Sequence, residues 1–119
     1  MDAKELALII ADAALDKQAL SLEIVDVNGK VDYTRYIVIC SGRSGPHVDA
    51  VADAVEAALK RHQVFALGVE GRDSHRWVLM DFEDVIFHVF ECDTRGYYDL
   101  EGLWIDAVRV PLRQAAGAD

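Results

Sequence analysis

Tyr36-Ile-Val-Ile-Cys40 is an uninterrupted, mostly β-branched run with no polar alternation. Such a strand offers no face to water, so it predicts a central strand packed on both sides. The rest of the chain has to be arranged around it. Leu22-Glu-Ile-Val-Asp-Val27 alternates with a period of two, as a strand does. Asn28-Gly29 then marks a turn, because both residues tolerate positive φ. At the start of the chain, Leu6, Ile9, Ile10 and Ala13 recur at helical spacing within residues 4–19, with Lys4, Glu5, Asp12 and Lys17 elsewhere on the helix.

Downstream of the central run, Ser41-Gly-Arg-Ser-Gly-Pro46 is a short loop leading into a second helix. Ser44 fits its N-cap, and Pro46 fits the first turn, where a missing N–H costs nothing. Val48, Val51, Ala52, Val55 and Leu59 form one apolar stripe, with Asp49, Asp53, Glu56 and Lys60 on the wet face. Glu56 and Lys60 form an i, i+4 pair worth a few tenths of a kcal/mol at most. Val64 to Val69 reads as a third strand, with Gly68 placed to bulge it. Trp77–Met80 and Val85–Phe90 read as strands four and five, joined by the acidic turn Asp81–Asp84. Tyr98 to Asp106 reads as a short helix, and the tail from Arg109 as frayed.

The resulting order is αββαβββα. A hairpin, a helical crossover and a meander predict an α/β fold, a mixed five-stranded sheet with flanking helices. A chain of 119 residues holds one such core and not two, so residues 1–119 read as a single domain.

The net charge is -9. That balance argues against direct binding to a phosphate backbone, which needs clustered Lys and Arg. The charge is also unevenly placed. Between Asp81 and Asp106 there are eight acids (Asp81, Glu83, Asp84, Glu91, Asp93, Asp99, Glu101, Asp106) and one base, Arg95, a balance of -7. Negative charge beside Trp and Tyr points to a docking surface for a basic partner. Cys40 and Cys92 sit in apolar strand-like runs without metal spacing, and read as buried thiols in a reducing compartment. No signal-peptide core and no run of membrane-spanning length is present in the sequence, so the expected location is cytoplasmic, away from membranes.

Few residues invite a catalytic reading. His47, His62, His75 and His88 form no metal-binding pair, and no metal or cofactor is expected. His47 reads as an exposed first-turn residue. His88 shares a strand face with Ile86 and Phe90, and reads either as a hydrogen-bonded, partly buried histidine or as a surface contact beside Asp84. The Ser41–Gly45 loop lacks the Gly-Lys-Ser/Thr of a phosphate-binding loop, and an N-cap explains it more simply. Asp81 and Glu83 form an acid-x-acid pair that in a nucleotidyl transferase would orient a divalent metal; a solvated acidic turn is the competing reading. Trp77 aligns with Leu79 and Asp81 on one strand face, an arrangement unusual in a core and normal in an interface, so Trp77 stays open between the two.

Taken together, Asp32-Tyr-Thr-Arg-Tyr-Ile-Val-Ile-Cys-Ser-Gly-Arg-Ser-Gly-Pro-His47-Val, Val51-Ala-Asp53, Glu70-Gly71, Trp77-Val-Leu-Met-Asp81, Asp84-Val-Ile-Phe-His88-Val-Phe90 and Tyr97-Tyr98-Asp99-Leu-Glu-Gly-Leu-Trp104 resemble the ribosomal silencing factor (Iojap-type) family. The likeness runs from about residue 4 to about residue 110, and the joint order of the pieces is what makes it specific. It implies a nucleotidyltransferase-like fold without catalysis. It also implies binding to a basic protein of the large ribosomal subunit, ribosomal protein number fourteen, on the face that meets the small subunit. The bound factor blocks subunit joining and lowers translation, notably when nutrients are short. Carried onto this chain, the contact surface comprises Glu70, Trp77, Met80, Asp81, Asp84 and His88, with Tyr98 and Asp99 nearby. Glu83 departs from the family, which often has Gly at that point of the turn. The reading that competes with translational repression is a small metal-dependent nucleotidyltransferase-like enzyme using Asp81 and Glu83. An exposed Trp-rich face also favours a weak homodimer when no ribosome is present.

Overall fold

The computed structural model describes residues 1–114. Its elements are α1 (Ala3–Asp16), β1 (Leu20–Asp26), β2 (Tyr36–Gly42), α2 (Gly45–Arg61), β3 (Gly68–Glu70), β4 (Trp77–Asp81), β5 (Val85–Glu91) and α3 (Cys92–Tyr98), followed by a 3₁₀ segment, Leu100–Trp104. The strands form one mixed sheet in the order β1-β2-β5-β4-β3. The central pair, β2 and β5, is parallel, and the remaining pairs are antiparallel. β2 has a hydrogen-bonded neighbour on each side and is buried from Ile37 to Gly42, as its unalternating sequence requires.

Both long helices start with the caps their sequences contain. Asp2 accepts the N–H of Glu5 at the head of α1, and Ser44 accepts the N–H of His47 at the head of α2, with Pro46 in its first turn. The helices cover one face of the sheet. Ile10 and Ala14 of α1, and Val48, Val51, Val55 and Leu59 of α2, pack on Val38, Val78, Met80, Phe87 and Val89, all at the centre of the core. Each of these side chains larger than alanine contributes about 1.5–3 kcal/mol of burial. The wet face of α2 is tied down across space and not along the helix. Glu56 meets Arg72 at 3.4 Å in place of Lys60, and Asp53 meets the same guanidinium at 2.9 Å.

The opposite, outer face is only half covered. α3 and the segment after it lie over β1, β2 and the end of β5, burying Ile37, Ile39 and Phe90. Arg95 of α3 is itself buried, donating to Ser41 Oγ at 3.0 Å and lying 3.6 Å from Glu23. Paired in this way, its charge is tolerated inside. The outer face of β4 is left largely open.

Three expectations about elements change. The third strand is three residues long, because β4 is short and its register ends at Gly68↔Asp81; residues 64–67 run up to it outside the ladder, Leu67 donating its N–H to the Asp81 carbonyl. The helix expected over Tyr98 to Asp106 is a single 3₁₀ stretch, Leu100–Trp104, and it is preceded by an unexpected α3 from Cys92 to Tyr98 that stops at Asp99, whose φ of 47° breaks the helix. The tail from Arg109 is not frayed as far as Gln114. The N–H of Asp26 donates to the Val108 carbonyl and the N–H of Val110 to the Ile24 carbonyl, capping the free edge of β1, and Arg113 bridges Glu5 and Asp12 of α1. The expectation for residues 115–119 lies outside the described residues. Among the described residues, no helix is long and apolar enough to cross a membrane.

Candidate functional site: the outer face of β4 and β5

Alternation along β4 sends Val78 and Met80 into the core and leaves Trp77, Leu79 and Asp81 half-exposed on the outer face. Register then builds rows across the sheet. Glu70 stands beside Leu79 and Leu79 beside His88; Trp77 stands beside Phe90, and Asp81 beside Ile86. Trp77 stacks on Phe90 with ring centroids 4.7 Å apart and is flanked by Tyr98 from α3, also at 4.7 Å. Its indole N–H donates to Nδ1 of His88 at 3.0 Å. The ring is therefore held on one face and presented on the other, so Trp77 serves both as the edge of the outer packing layer and as a surface residue.

Two of the eight expected contact residues are buried, Met80 on the inner face and His88 beneath the aromatic layer of the outer face. Met80 is fully buried among the helices, because strand alternation places it opposite Trp77. His88 is 6% exposed, so it is the hydrogen-bonded, buried histidine and not a surface contact beside Asp84. Burial pushes its pKa down from 6.5 to about 4, which keeps the ring neutral and Nδ1 free to accept from Trp77.

The remaining six lie at the surface but do not form one group. Asp99 sits past the end of α3, beside Glu23, Ser41 and Arg95. Glu70, Trp77 and Tyr98 gather at one end of β4. Asp81 and Asp84 lie at the other, roughly 13 Å away at the rise of an extended strand. In the turn, Asp81 Oδ1 accepts the N–H of Glu83 at 2.8 Å, while the carbonyl of Asp84 accepts the N–H groups of Arg35 and Tyr36. Glu83 adopts a φ of 73°, the left-handed conformation for which glycine is best suited. The Asp81 carboxylate thus has a structural duty in the turn, which the metal-pair reading did not assign to it. Among the described residues, no group of three or more His, Cys, Asp or Glu is arranged to hold a metal ion.

Cys92 and His47 also differ from expectation. Cys40 is buried, and burial raises its pKa to about 12, but Cys92 is half-buried at the start of α3. His47 is a tether: Nδ1 accepts the N–H of Arg43, and Nε2 contacts the carbonyl of Lys17 at 2.8 Å, joining the start of α2 to the end of α1.

Beside Trp77 the surface sinks into a cleft of about 710 Å³, bounded by Arg76, Trp77, Glu91, Asp93, Tyr97 and Tyr98. Glu91, Asp93 and Tyr97 had no individual role in the sequence. Gly71 borders the cleft with a φ of +86°, and a Cβ there would clash with the Trp77 carbonyl oxygen. Only glycine fits that crossing.

This fold and this face define a class: a small α/β domain that shows an aromatic surface edged with carboxylates on the uncovered half of its sheet. Residues 1–119 match the family model for the ribosomal silencing factor during starvation. The chain is 38% identical over 107 residues to the ribosomal silencing factor RsfS of Bacillus subtilis, covering 90% of this chain and 91% of that one. It is also 32% identical over 114 residues to the chloroplastic protein Iojap of Arabidopsis thaliana, where it covers 93% of this chain but 47% of the longer relative. A crystal structure of a Chromobacterium violaceum protein superposes with a TM-score of 0.86 at 29% identity, covering 98% of this chain and 96% of the other. The chain belongs to the ribosomal silencing factor family.

Proposed function

We propose that this chain is a translational repressor acting by occlusion. It docks on the large ribosomal subunit through a basic ribosomal protein, number fourteen in the large-subunit series. There it covers the surface that the small subunit must meet, and joining is blocked. The family implies ribosome-associated regulation of translation, and its description ties that regulation to starvation. The observation that carries the finer reading is the open half of the outer face. Trp77 and Tyr98 stand there as large amphipathic rings, with Glu70 beside Trp77 and the acidic Asp81–Asp84 turn at the far end of the same strand. An aromatic anchor on a face where acids outnumber bases suits a protein partner of opposite charge. This role needs no cofactor and no bond-making chemistry, and it places the chain in the same compartment as ribosomes, the cytoplasm in a bacterial cell. Without a ribosome, the same rings are free to pair two copies weakly.

The test is co-sedimentation with isolated large and small subunits across a salt series, paired with a subunit-joining assay. The expected result is binding to large subunits alone, weakening as salt rises, with joining reduced in proportion. Equal sedimentation with both subunits, or binding without any effect on joining, overturns the reading.

A further inference from the structure

We infer that the cleft between β4 and α3 is a receptor for an arginine side chain of the docking partner, an inference that rests on the ribosome-docking reading above. The cleft, about 710 Å³, is larger than one side chain needs and open enough to be entered from outside. Its wall is aromatic. Trp77 and Tyr98 lie 4.7 Å apart at 45°, and Tyr97 meets Tyr98 edge-on at 5.2 Å and 90°. Tyr97 is 83% exposed and Tyr98 50%, more than packing on the outer face requires.

The other wall is acidic. Glu91 ends β5 and stands at the N-cap position of α3, yet its side chain makes no capping hydrogen bond there. Asp93 follows in the first turn of α3. Among the described residues neither carboxylate forms an ion pair, and neither does Arg76, the one cation bordering the cleft. Two carboxylates beside one cation leave the cleft net negative.

This combination selects the occupant. A planar guanidinium can lie against the Trp77 and Tyr98 rings while its edge donates to a carboxylate in bidentate fashion. A lysine ammonium satisfies the charge but not the plane. A nucleic-acid base could stack on the same rings, but Glu91 and Asp93 then oppose its phosphates. Arginine in a basic protein segment fits both walls.

The trial uses the full chain and two probes. N-acetyl-arginine methylamide and its uncharged citrulline counterpart are titrated while the indole N–H signals of Trp77 and Trp104 are followed by NMR. Large-subunit co-sedimentation is run in parallel with wild type and a Glu91→Gln/Asp93→Asn variant whose melting is first matched to wild type. The Trp77 signal is expected to shift with the arginine probe, on the order of millimolar for a single side chain, and not with citrulline. The variant is expected to lose about tenfold in affinity for both the probe and the large subunit. An equal response to the two probes, or a variant that binds large subunits like wild type, overturns the cleft while leaving ribosome docking intact. Failure of wild type to sediment with large subunits overturns the docking reading instead, and the probe titration then judges the cleft alone. A Trp77 shift produced by oligouridylate and not by arginine makes the cleft a nucleic-acid site and likewise overturns the inference.

Discussion

The indole N–H of Trp77 and Nδ1 of His88 meet at 3.0 Å diagonally across the β4–β5 pair. This one bond ties a ring at the surface to a ring inside. His88 must be neutral to accept it, and burial ensures that it is.

Acid should therefore act on the fold through His88. Its pKa in the folded chain, about 4, lies below the ordinary 6.5, so the unfolded chain takes up the proton first as pH falls. The contribution is complete above pH 6.5 and is lost between 6.5 and 4, amounting to about 3 kcal/mol. Denaturant midpoints at pH 7 and pH 4.5 for wild type and His88→Asn check this. Wild type should lose more stability on acidification by most of that amount, and parallel losses in the two proteins would refute it.

Met80→Ala should damage the fold and not the surface. The side chain is fully buried in the main core, where truncation of methionine costs about 2–5 kcal/mol. Affinity for large subunits, measured at a temperature where the variant is still folded, should be close to that of wild type. A stable variant with lost affinity would return Met80 to the contact surface.

Glu83→Gly should stabilise the chain. Glu83 holds a φ of 73°, and relieving a non-glycine residue of the left-handed conformation is worth roughly 1 kcal/mol. The N–H that donates to Asp81 is retained. A rise in melting temperature is the expected readout, and a fall would mean that the Glu83 side chain holds the turn in some other way.

Much of this arrangement was legible before the structure. The unalternating Tyr36–Cys40 run gave the centre of the sheet, and Ser44 with Pro46 gave the start of α2, because both signals are local. The acidic turn was found for the same reason. What failed depended on contacts distant in sequence. α3 carries Gly96 and buries a single side chain, Arg95, so it has no apolar stripe to announce it; Arg95 is stabilised by Ser41 and Glu23, far upstream. Residues 109–114 carry no helical or strand period of their own and read as frayed until β1 and α1 supply their partners. Met80 and His88 were grouped with Trp77 by a linear motif, whereas strand alternation and the depth of the aromatic layer decide which of them sees solvent. Glu91, Asp93 and Tyr97 entered only as charge and composition, since their convergence on one cleft depends on where α3 begins.

Reversing the turn charge separates docking from folding if the two aspartates are treated differently. Asp84 is exposed and its side chain has no partner among the described residues, whereas Asp81 holds the turn through Oδ1. Asp84→Lys should therefore leave the fold nearly unchanged, since exposed charges contribute about 0–1 kcal/mol. Asp81→Asn removes charge but keeps an oxygen for the Glu83 N–H, whereas Asp81→Lys would open the turn and confuse the two effects. In an Asp81→Asn/Asp84→Lys protein, the docking reading predicts repulsion of a basic partner and a loss of about 2–5 kcal/mol where the contacts are buried, mostly as faster dissociation. Large-subunit dissociation rates and inhibition of cell-free translation are the measurements, with circular dichroism as the control for folding. Undiminished binding and inhibition by a natively folded variant would remove this end of β4 and β5 from the contact surface, leaving Trp77 and the cleft beside it to carry docking alone.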